Sequence, residues 1–513
     1  MKKIILLVTL IISSKVNAQI PEDAIRYTYY PQNGTARNLA VGGVMGSLGG
    51  DINATFVNPA GLGFYKTGEF VLTPSFYLNN NKINYRETAS QTKKNNFNFG
   101  TSGWVLGQGN RYNKNSNAIS LAFTQTANFN NEIGYSGLNN YSSFSEQFAE
   151  EFAKSGYSIN EVLNTNSPLP YTSAVALYTY LIDTVKVNGV YQVKGAPEFI
   201  LDAGEAIRQQ MTKNTKGGMY EAALGFAHNQ EDKWFFGGSI AVPFISYSSN
   251  TTFSENDTSL KTNNHFKSFE YKDDFKTTGW GINARLGIIY RPKDYIRLGL
   301  ALHSPTFMSL TDKRTTTLTT SLENPIGNFN VTSTTFTNNQ PGESKYDQST
   351  AWRIIGSASY VFREVENTKK QRAFVSADIE YVTHGASRFS SNNEEPAQQE
   401  KDYYKALNKV IKNEYKGALN FRLGGELKFN TIMGRLGFAY YSNPYKNSPA
   451  KVNNMLLSGG LGYRNKGVFV DVTYVHSIAK DVNFPYRLED RANTYATLKQ
   501  TRGNVVATLG FKF

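Results

Sequence analysis

The chain of 513 residues contains no cysteine, which excludes a disulfide scaffold and a thiolate metal site. Charged residues make up 19% of the chain, fewer than the ~25% of an ordinary soluble domain. No apolar run approaches the ~20 residues that a transmembrane helix needs. The five histidines are scattered and form no His-x-x-x-His pair, so we expect no metal site and no other cofactor.

Aromatic residues and glycine are abundant instead, with 33 Phe, 32 Tyr and 43 Gly. This mixture is typical of membrane β-barrels, in which aromatic girdles border an outward apolar band. The net charge of +13 at pH 7 is compatible with charges spread over loops and a pore. Because the chain carries an export signal, described next, we expect no nucleic-acid partner.

The first 18 residues have the features of a secretory signal peptide. Lys2 and Lys3 form a positive start, Ile4–Ile12 is a short apolar core, and Val16-Asn17-Ala18 is a small-x-small cleavage pattern. The apolar core is too short to span a bilayer as a helix. We therefore expect cleavage near Ala18 and export to the outer membrane of a Gram-negative bacterium.

The rest of the chain alternates apolar and polar residues with period two. In the last ten residues, Val505, Leu509 and Phe511 share one face with the terminal Phe513, a pattern typical of outer-membrane strands. A soluble β-sandwich also alternates, but it seldom places arginine on the buried face of successive strands. Arginines recur on the opposite face here, namely Arg285, Arg297, Arg353, Arg422 and Arg435. The pattern predicts an all-β fold, a transmembrane antiparallel β-barrel whose polar face lines a lumen.

Short and long connections alternate along the predicted strands. Short polar links are predicted at Asn229–Asp232, Arg291–Asp294, Asn430–Thr431 and Arg464–Lys466, with a longer one at Arg363–Gln371. Longer excursions are predicted at Asn80–Asn95, Tyr135–Lys216, Asn256–Lys267, Thr311–Tyr346, Phe389–Tyr415, Asn443–Val452 and Ile478–Asn493. Counting from Glu69 gives about fourteen strands with the long loops outside. The predicted organisation is a signal peptide (1–18), an N-terminal extension and hatch (19–67) and a barrel (68–513) with a long extracellular loop at 135–216.

Some of the long loops carry helical patterns. Phe144–Ala153, Ser173–Ile182, Phe199–Gln210 and Lys401–Lys412 have apolar residues at helical spacing. One interpretation is that such helices cap the barrel mouth. The other is that their apolar faces form a capture surface for greasy ligands, since exposed apolar patches often mark binding. The candidate residues for that surface are Phe148, Phe152, Leu177 and Leu181.

The segment ahead of the first strand is rich in Gly and Ala and lacks strand alternation. Its sequence contains Ala36-Arg37, Gly42-Gly43, Asp51 and Asn58-Pro59-Ala60-Gly61-Leu62. This combination resembles the N-terminal hatch of the long-chain fatty acid transporter (FadL) family of outer-membrane proteins. The resemblance implies a fourteen-stranded barrel plugged by a hatch, with Asn58, Pro59, Ala60 and Gly61 in the hatch motif. The motif covers about thirty residues, so the family's ligand-binding residues are not transferred to this chain.

The resemblance also implies passive uptake of hydrophobic molecules such as long-chain fatty acids or aromatic hydrocarbons, with a lateral exit at a kink in an early strand. A fatty carboxylate needs a cation in the lumen, and Arg285, Arg353 and Arg422 are the hypothetical partners. The alternative for these arginines is salt bridges within the lumen, to Asp378, Glu380, Glu426 or Asp471. The expected partners are thus a hydrophobic small molecule and outer-membrane lipid.

The histidines and the long loops bear on functions other than uptake. His303 and Ser304 are adjacent, but neighbouring residues on a strand point to opposite faces, so no catalytic dyad and no enzyme is expected. A barrel component of a protein secretion or surface-assembly machinery is the main alternative, with a protein partner at the extracellular loops. Haem uptake is a further alternative, for which His265 is the candidate loop residue.

Overall fold

The structure is a computed structural model that describes residues 23–109, 114–187, 189–259, 261–262, 264–323, 325–362, 372–447 and 452–513. The predicted signal peptide, with its cleavage site near Ala18, and the predicted link Arg363–Gln371 lie outside the described residues. None of the helices in these ranges has the length and apolar character to cross a membrane.

Strands dominate the described chain, and they bury one face of side chains and expose the other. The strands before the long extracellular loop are β1 (Glu69–Leu72), β2 (Pro74–Tyr85), β3 (Thr88–Phe99), β4 (Ser102–Gly109), β5 (Ser116–Asn128) and β6 (Asn131–Asn139). Within that loop lie β7 (Ile182–Val187) and β8 (Val190–Gly195). The next strands are β9 (Ile207–Gln230), β10 (Trp234–Asp257), β11 (Ser268–Lys293), β12 (Ile296–His303), β13 (Phe307–Ser321), β14 (Asn328–Thr332), β15 (Gly342–Ser349) and β16 (Arg353–Phe362). The last are β17 (Ala373–Thr383), β18 (Arg388–Ser391), β19 (Gly417–Phe429), β20 (Ile432–Tyr441), β21 (Asn453–Asn465), β22 (Val468–Asn483) and β23 (Ala496–Lys512).

These strands form a closed antiparallel barrel of 14 strands, which confirms the predicted fold class. Several barrel strands consist of two consecutive pieces that share one position in the wall, namely β1 with β2, β3 with β4, β5 with β6, β12 with β13, β15 with β16 and β17 with β18. The last strand closes the wall, because β23 pairs with β1 from Glu69↔Lys512 and with β2 up to Asn84↔Thr497. Closure pairs the first and last strands, so neither is left as a free sheet edge in lipid.

The predicted alternation appears in the wall. On β23, Val505, Leu509 and Phe511 are exposed on the outer face, whereas Asn504 and Thr508 are buried inside. Large apolar side chains cover the outside of the other strands as well, as a lipid-facing surface requires. Of the predicted lumen arginines, Arg285, Arg297, Arg422 and Arg435 are buried, and Arg353 is partly buried.

Several of the predicted connections are wrong in extent. Thr311–Tyr346 contains most of β13 and part of β15, and Ile478–Asn493 contains the end of β22. The segment predicted as the excursion Asn80–Asn95 is a continuous hairpin of β2 and β3, which turns at Arg86 and Glu87 with φ of 47° and 63°. Its outward residues are polar because the hairpin continues beyond the apolar band. The long extracellular loop occupies 140–206 instead of 135–216, since β6 reaches Asn139 and β9 begins at Ile207.

Helices lie in the hatch and in the extracellular loops. They are α1 (Asp23–Arg26), α2 (Ala36–Ala40), α3 (Ala54–Val57), α4 (Ser145–Ser155), α5 (Ile159–Val162), α6 (Ser173–Tyr178), α7 (Glu198–Asp202) and α8 (Gln398–Glu414), with 3₁₀ turns at Pro59–Phe64, Ser333–Phe336 and His384–Ala386. Three predicted helical segments correspond to α4, α6 and α8. The fourth, Phe199–Gln210, is helical only over α7, and its end belongs to β9.

Candidate functional site

The described part of the hatch, residues 23–67, lies inside the barrel and contacts the lumen face of the wall. Its backbone reaches the wall most closely where the strands carry glycine. A Cβ at Gly424 of β19 would collide with the Val41 carbonyl, and one at Gly437 of β20 would collide with the backbone of Gly42. Lumen glycine therefore allows a backbone-to-backbone contact that any side chain would prevent.

Asn58, the first residue of the hatch motif, ties three chain segments together. Its Nδ2 donates to the Gly46 carbonyl at 2.6 Å, and at 3.4 Å it also reaches the carbonyls of Ile288 and Leu300 on two wall strands. Its Oδ1 accepts from the Ala60 amide at 3.1 Å and so caps the 3₁₀ turn that begins at Pro59. Asn58, Pro59, Ala60 and Gly61 are all buried, so in this structure the motif holds the hatch to the wall.

Asp378 of β17 holds the hatch from the wall side. Its Oδ2 accepts from the backbone amides of Met45 at 3.0 Å and Gly46 at 3.2 Å, and its Oδ1 accepts from the Ser357 hydroxyl at 2.6 Å. The side chain is 1% exposed. A buried carboxylate is stable when hydrogen-bond donors surround it, and two of these donors belong to the hatch.

The structure brings Arg285, Arg353 and Arg422 together around one polar cavity of about 70 Å³ beside the hatch. Each of them faces a carboxylate. Arg285 lies 2.7 Å from Glu221, whereas Arg353 and Arg422 lie 3.3 and 3.0 Å from Glu380. This arrangement agrees with the alternative of salt bridges within the lumen, with Glu221 as a partner in addition to Glu380. Binding of a fatty carboxylate by the three arginines stays a prediction.

Glu426 and Asp471, two of the alternative partners of those arginines, are paired with Arg435 instead. The Arg435 guanidinium lies 2.6 Å from Glu426 and 2.6 Å from Asp471, and its side chain is fully buried between them. Arg37 of the hatch approaches Glu426 at 3.6 Å, so this network also reaches the hatch.

A larger cavity of about 420 Å³ lies in the lumen between the start of the hatch and the wall strands β2, β3, β5, β6, β22 and β23. Thirteen of its 34 lining residues are Asn or Gln, and five are Tyr. The lining is therefore mostly polar, although uptake of hydrophobic molecules favours an apolar one. The dense run of Asn before residue 100 contributes to this lining, and the same composition is what predicts a loop at Asn80–Asn95.

The wall beside this cavity is interrupted. Among the described residues, β3 pairs with β2 alone and β6 pairs with β9 alone, so no backbone ladder joins β3 to β6. We call the gap between these two strands the seam. At the base of the seam the strand conformation is interrupted between β3 and β4 and between β5 and β6. The β5–β9 register also shifts there, between Gln125 and Ala127.

Side chains close the seam in place of the backbone. Thr92 donates to the Glu132 carbonyl at 2.6 Å, and the Lys94 ammonium donates to the Thr215 carbonyl at 2.8 Å and reaches that of Asn131 at 3.5 Å. At the base, Asn33 of the hatch donates to the carbonyls of Phe99 and Gln125, both at 2.8 Å. These residues were not singled out from the sequence, since their role depends on which strands fail to pair.

The loop residues predicted to form a capture surface are instead buried. Phe148, Phe152, Leu177 and Leu181 belong to a hydrophobic core that the loop 140–206, here called the cap, shares with the upper ends of the strands. The Phe144 ring stacks on Phe253 at 4.4 Å within the same core. The apolar helix faces bury each other because water opposes their exposure, so the interpretation of these four residues as an exposed surface is wrong.

Burial and charge also shift the pKa of acids in the cap. The pKa of Glu198 is raised to about 7, mainly by burial and in part by its neighbours Glu146 and Asp202. A hydrogen bond from the Gly195 amide and the charge of Lys194 act against this rise. Burial likewise raises the pKa of Glu146 and Glu151.

The histidines lie apart from one another. His303 contacts the Val57 carbonyl at 2.7 Å, while Ser304 donates to the Pro305 carbonyl at 2.9 Å, so these two neighbours have different partners. In the part of the chain that the structure describes, no group of three or more His, Asp or Glu side chains is arranged to hold a metal ion.

The fold of this chain is similar to that of several solved structures. No protein-family model and no curated protein matches the chain. The toluene transporter TodX of P. putida is 14% identical, with 94% of this chain and 99% of that chain covered and a TM-score of 0.53. A FadL homologue of Pseudomonas aeruginosa is 12% identical (93% and 98% covered, TM-score 0.50), and the toluene transporter TbuX of Ralstonia pickettii is 16% identical (94% and 99% covered, TM-score 0.50). The chain therefore has the fold of these outer-membrane proteins over nearly its whole length.

Proposed function

We propose that the chain is an outer-membrane channel for the passive uptake of hydrophobic molecules, long-chain fatty acids or aromatic hydrocarbons among them. Its fold is that of proteins described as toluene transporters and a FadL homologue. The observation that carries the proposal is the seam, because a lumen cavity adjoins two wall strands, β3 and β6, between which no backbone ladder forms in the described residues.

The seam offers a lateral route from the lumen to the bilayer. Opening a paired strand would expose its backbone groups to hydrocarbon, at a cost of several kcal/mol per group. The amides and carbonyls of β3 and β6 that face the seam are not paired with each other, so separating the two strands breaks side-chain bonds only. At the base of the seam, where the outward residues of β3 are Phe97 and Phe99, an apolar solute that leaves the lumen enters lipid without crossing water.

A reversible cross-link tests the route. A Cβ on Gly134 would lie 3.2 Å from the Thr92 Cγ2 atom, which brings a cysteine pair Thr92→Cys/Gly134→Cys within disulfide reach across the seam. The chain has no cysteine of its own, so the pair is the sole thiol source. The control is Thr317→Cys/Thr332→Cys, a directly opposed pair on β13 and β14 far from the seam.

The readout is the uptake of radiolabelled oleate and of toluene by cells that produce each variant, before and after oxidation. We expect oxidation to abolish uptake in the seam variant, a reductant to restore it, and the control pair to have no effect. Undiminished uptake through a fully cross-linked seam would refute the lateral route. If the wild-type protein takes up neither probe, fatty acids and aromatic hydrocarbons are not its cargo.

One observation favours the secretion alternative as a second candidate. Val190 and Tyr191, at the tip of the β7–β8 hairpin in the cap, are 61% and 71% exposed, and Phe199 nearby is also exposed. A protein partner held at the surface would cover such residues. Reproducible co-purification of one protein, lost in the variant Val190→Ser/Tyr191→Ser, would support this candidate over uptake.

A further inference from the structure

The lumen cavity has the wrong lining for a pure hydrocarbon. Pockets for apolar ligands are lined predominantly by hydrophobic side chains. Here side-chain amides are the commonest lining group, and the charged residues that accompany them include Arg26, Lys213 and Arg502. A hydrocarbon that filled this space would remove water from these groups without replacing its hydrogen bonds, which costs about 1–3 kcal/mol for each group left unpaired.

Two of the lining amides already lack partners. Asn98 of β3 and Asn504 of β23 are 2% and 5% exposed, and neither side-chain oxygen has a hydrogen-bond partner. The lining residues Asn33, Asn79 and Thr126 also each have a buried oxygen without a donor. Buried polar atoms in native proteins are nearly always paired, so a cluster of unpaired acceptors around one cavity indicates a missing donor.

The same cavity also contains a buried donor without an acceptor, the Asn128 Nδ2 atom. Arg502 and Lys213 line the cavity as well, and in the described part of the chain neither lies within 4.0 Å of a carboxylate, although Asp481 of the same lining attracts both. A carboxylate has acceptors only, so it would satisfy these cations and leave the amide oxygens unpaired. A hydroxyl group both donates and accepts, so a head group with several hydroxyls satisfies both sets. Tyr77 and Tyr441 add ring faces on which the carbon face of a sugar can pack.

The strand next to the cavity also has a place for an apolar tail. On β3 the amide residues Asn96 and Asn98 face the lumen, while Phe97 and Phe99 point outward and are exposed, with their rings 5.0 Å apart. This strand forms one side of the seam. A molecule lying across the seam therefore meets amides at one end and phenylalanine at the other.

We infer that the cargo of this channel is an amphipathic molecule with a hydroxyl-rich, glycosyl-like head group. The head group binds in the lumen cavity against Asn98, Asn504 and Arg502, and the alkyl chain passes through the seam beside Phe97 and Phe99. This inference rests on the proposed channel function and specifies its substrate class.

Three probes with the same alkyl chain separate the head groups, namely octane, octanoate and octyl β-D-glucoside. Binding is measured by saturation-transfer NMR on the full-length protein in lipid nanodiscs, below the critical micelle concentration of each probe and with empty nanodiscs subtracted. We expect octyl glucoside to bind at least tenfold more tightly than octane or octanoate. The double variant Asn98→Leu/Asn504→Leu should weaken binding of the glucoside about tenfold, as expected for two lost hydrogen bonds. Its affinity for octane should be unchanged or higher.

Asn95→Leu is the matched control, because Asn95 lies on β3 but points outward. Heat-dependent migration on gels verifies that each variant is folded, and the ranking of the probes on the wild-type protein tests the inference without any variant. Octane or octanoate binding as tightly as the glucoside would overturn the head-group assignment while leaving the channel function intact. Failure of all three probes to bind would overturn the inference, and uptake of oleate or toluene by the same protein would show that the channel function stands. Failure of all three to bind together with no uptake of oleate or toluene would overturn both.

Discussion

Replacing Asp378 by alanine measures how tightly the hatch is held against the wall. The carboxylate accepts two backbone amides of the hatch, from Met45 and Gly46. Hydrogen bonds to a charged group contribute about 1.5–3 kcal/mol each, so their loss should weaken hatch docking by about 3–6 kcal/mol. At 1.4 kcal/mol per tenfold, the undocked population rises by a factor of about 10² to 10⁴.

Hydrogen–deuterium exchange of the protein in nanodiscs reports this population directly. In Asp378→Ala we expect the amides around Met45 and Gly46 to exchange at least a hundredfold faster, while the amides of β20 and β21 exchange as in the wild type. Asp378→Asn keeps one carbonyl oxygen as an acceptor and should have an intermediate effect. Asp294→Ala is the control, because this exposed carboxylate pairs with Arg291 in a turn away from the hatch.

The result that would refute the reasoning is unchanged exchange at Met45 and Gly46 in a folded Asp378→Ala protein. The hatch would then be held by its other contacts alone, and the buried carboxylate would contribute nothing to docking. A barrel that unfolds altogether is distinguished by its migration on gels without heating, and Asp378→Asn is then the variant to compare.

Three other perturbations test separate parts of the molecule. Arg435→Met leaves the buried carboxylates of Glu426 and Asp471 without their shared cation. It should therefore lower the free energy of unfolding, measured by urea titration, by about 3–5 kcal/mol. An unchanged urea midpoint would contradict this pairing. Lys94→Ala removes a bridge across the seam and should speed toluene uptake and amide exchange in β6; slower uptake would mean that Lys94 guides the solute instead of closing the seam. Because the folded pKa of Glu198 is about 7, above its ordinary value of 4.5, its contribution to stability is fully present below pH 4.5 and is lost as the pH rises to about 7. Limited proteolysis should therefore cut the cap of the wild type faster than that of Glu198→Gln at pH 8 but not at pH 4.5, and equal rates at both pH values would remove Glu198 as the cause.

The sequence predicts the barrel well because lipid imposes one rule on every strand. Outward residues within the apolar band must be apolar, so alternation and turn spacing together give the strand number. The rule ends where the strands leave the band. Asn80, Asn84 and Asn95 point outward into water, and a strand with two polar faces has the composition of a loop, which is why the β2–β3 hairpin was predicted as an excursion.

The candidate site was less predictable because it depends on contacts between distant segments. Helical spacing correctly predicted the apolar faces that contain Phe148 and Leu177, but spacing does not say what covers such a face. Likewise, alternation predicts Arg422 in the lumen but not its partner. The register of β17 and β19 sets Arg422 opposite Asp378, and its ion pair forms diagonally with Glu380. The seam depends on a backbone ladder that fails to form, for which no residue pattern gave a signal.

The hatch and the seam meet at Asn33, and this contact limits what must move for the seam to open. Asn33 bonds both sides of the seam base, whereas the anchors at Asp378 and Asn58 hold residues more than ten positions further along the chain. On the other side of Asn33 along the chain, Arg353 donates to the carbonyl of Thr28 at 2.6 Å. A shift of residues 29–34 alone therefore releases the seam base, while the anchored part of the hatch remains as a floor beneath the cavity. A solute that leaves through the seam does not need the hatch to leave the barrel.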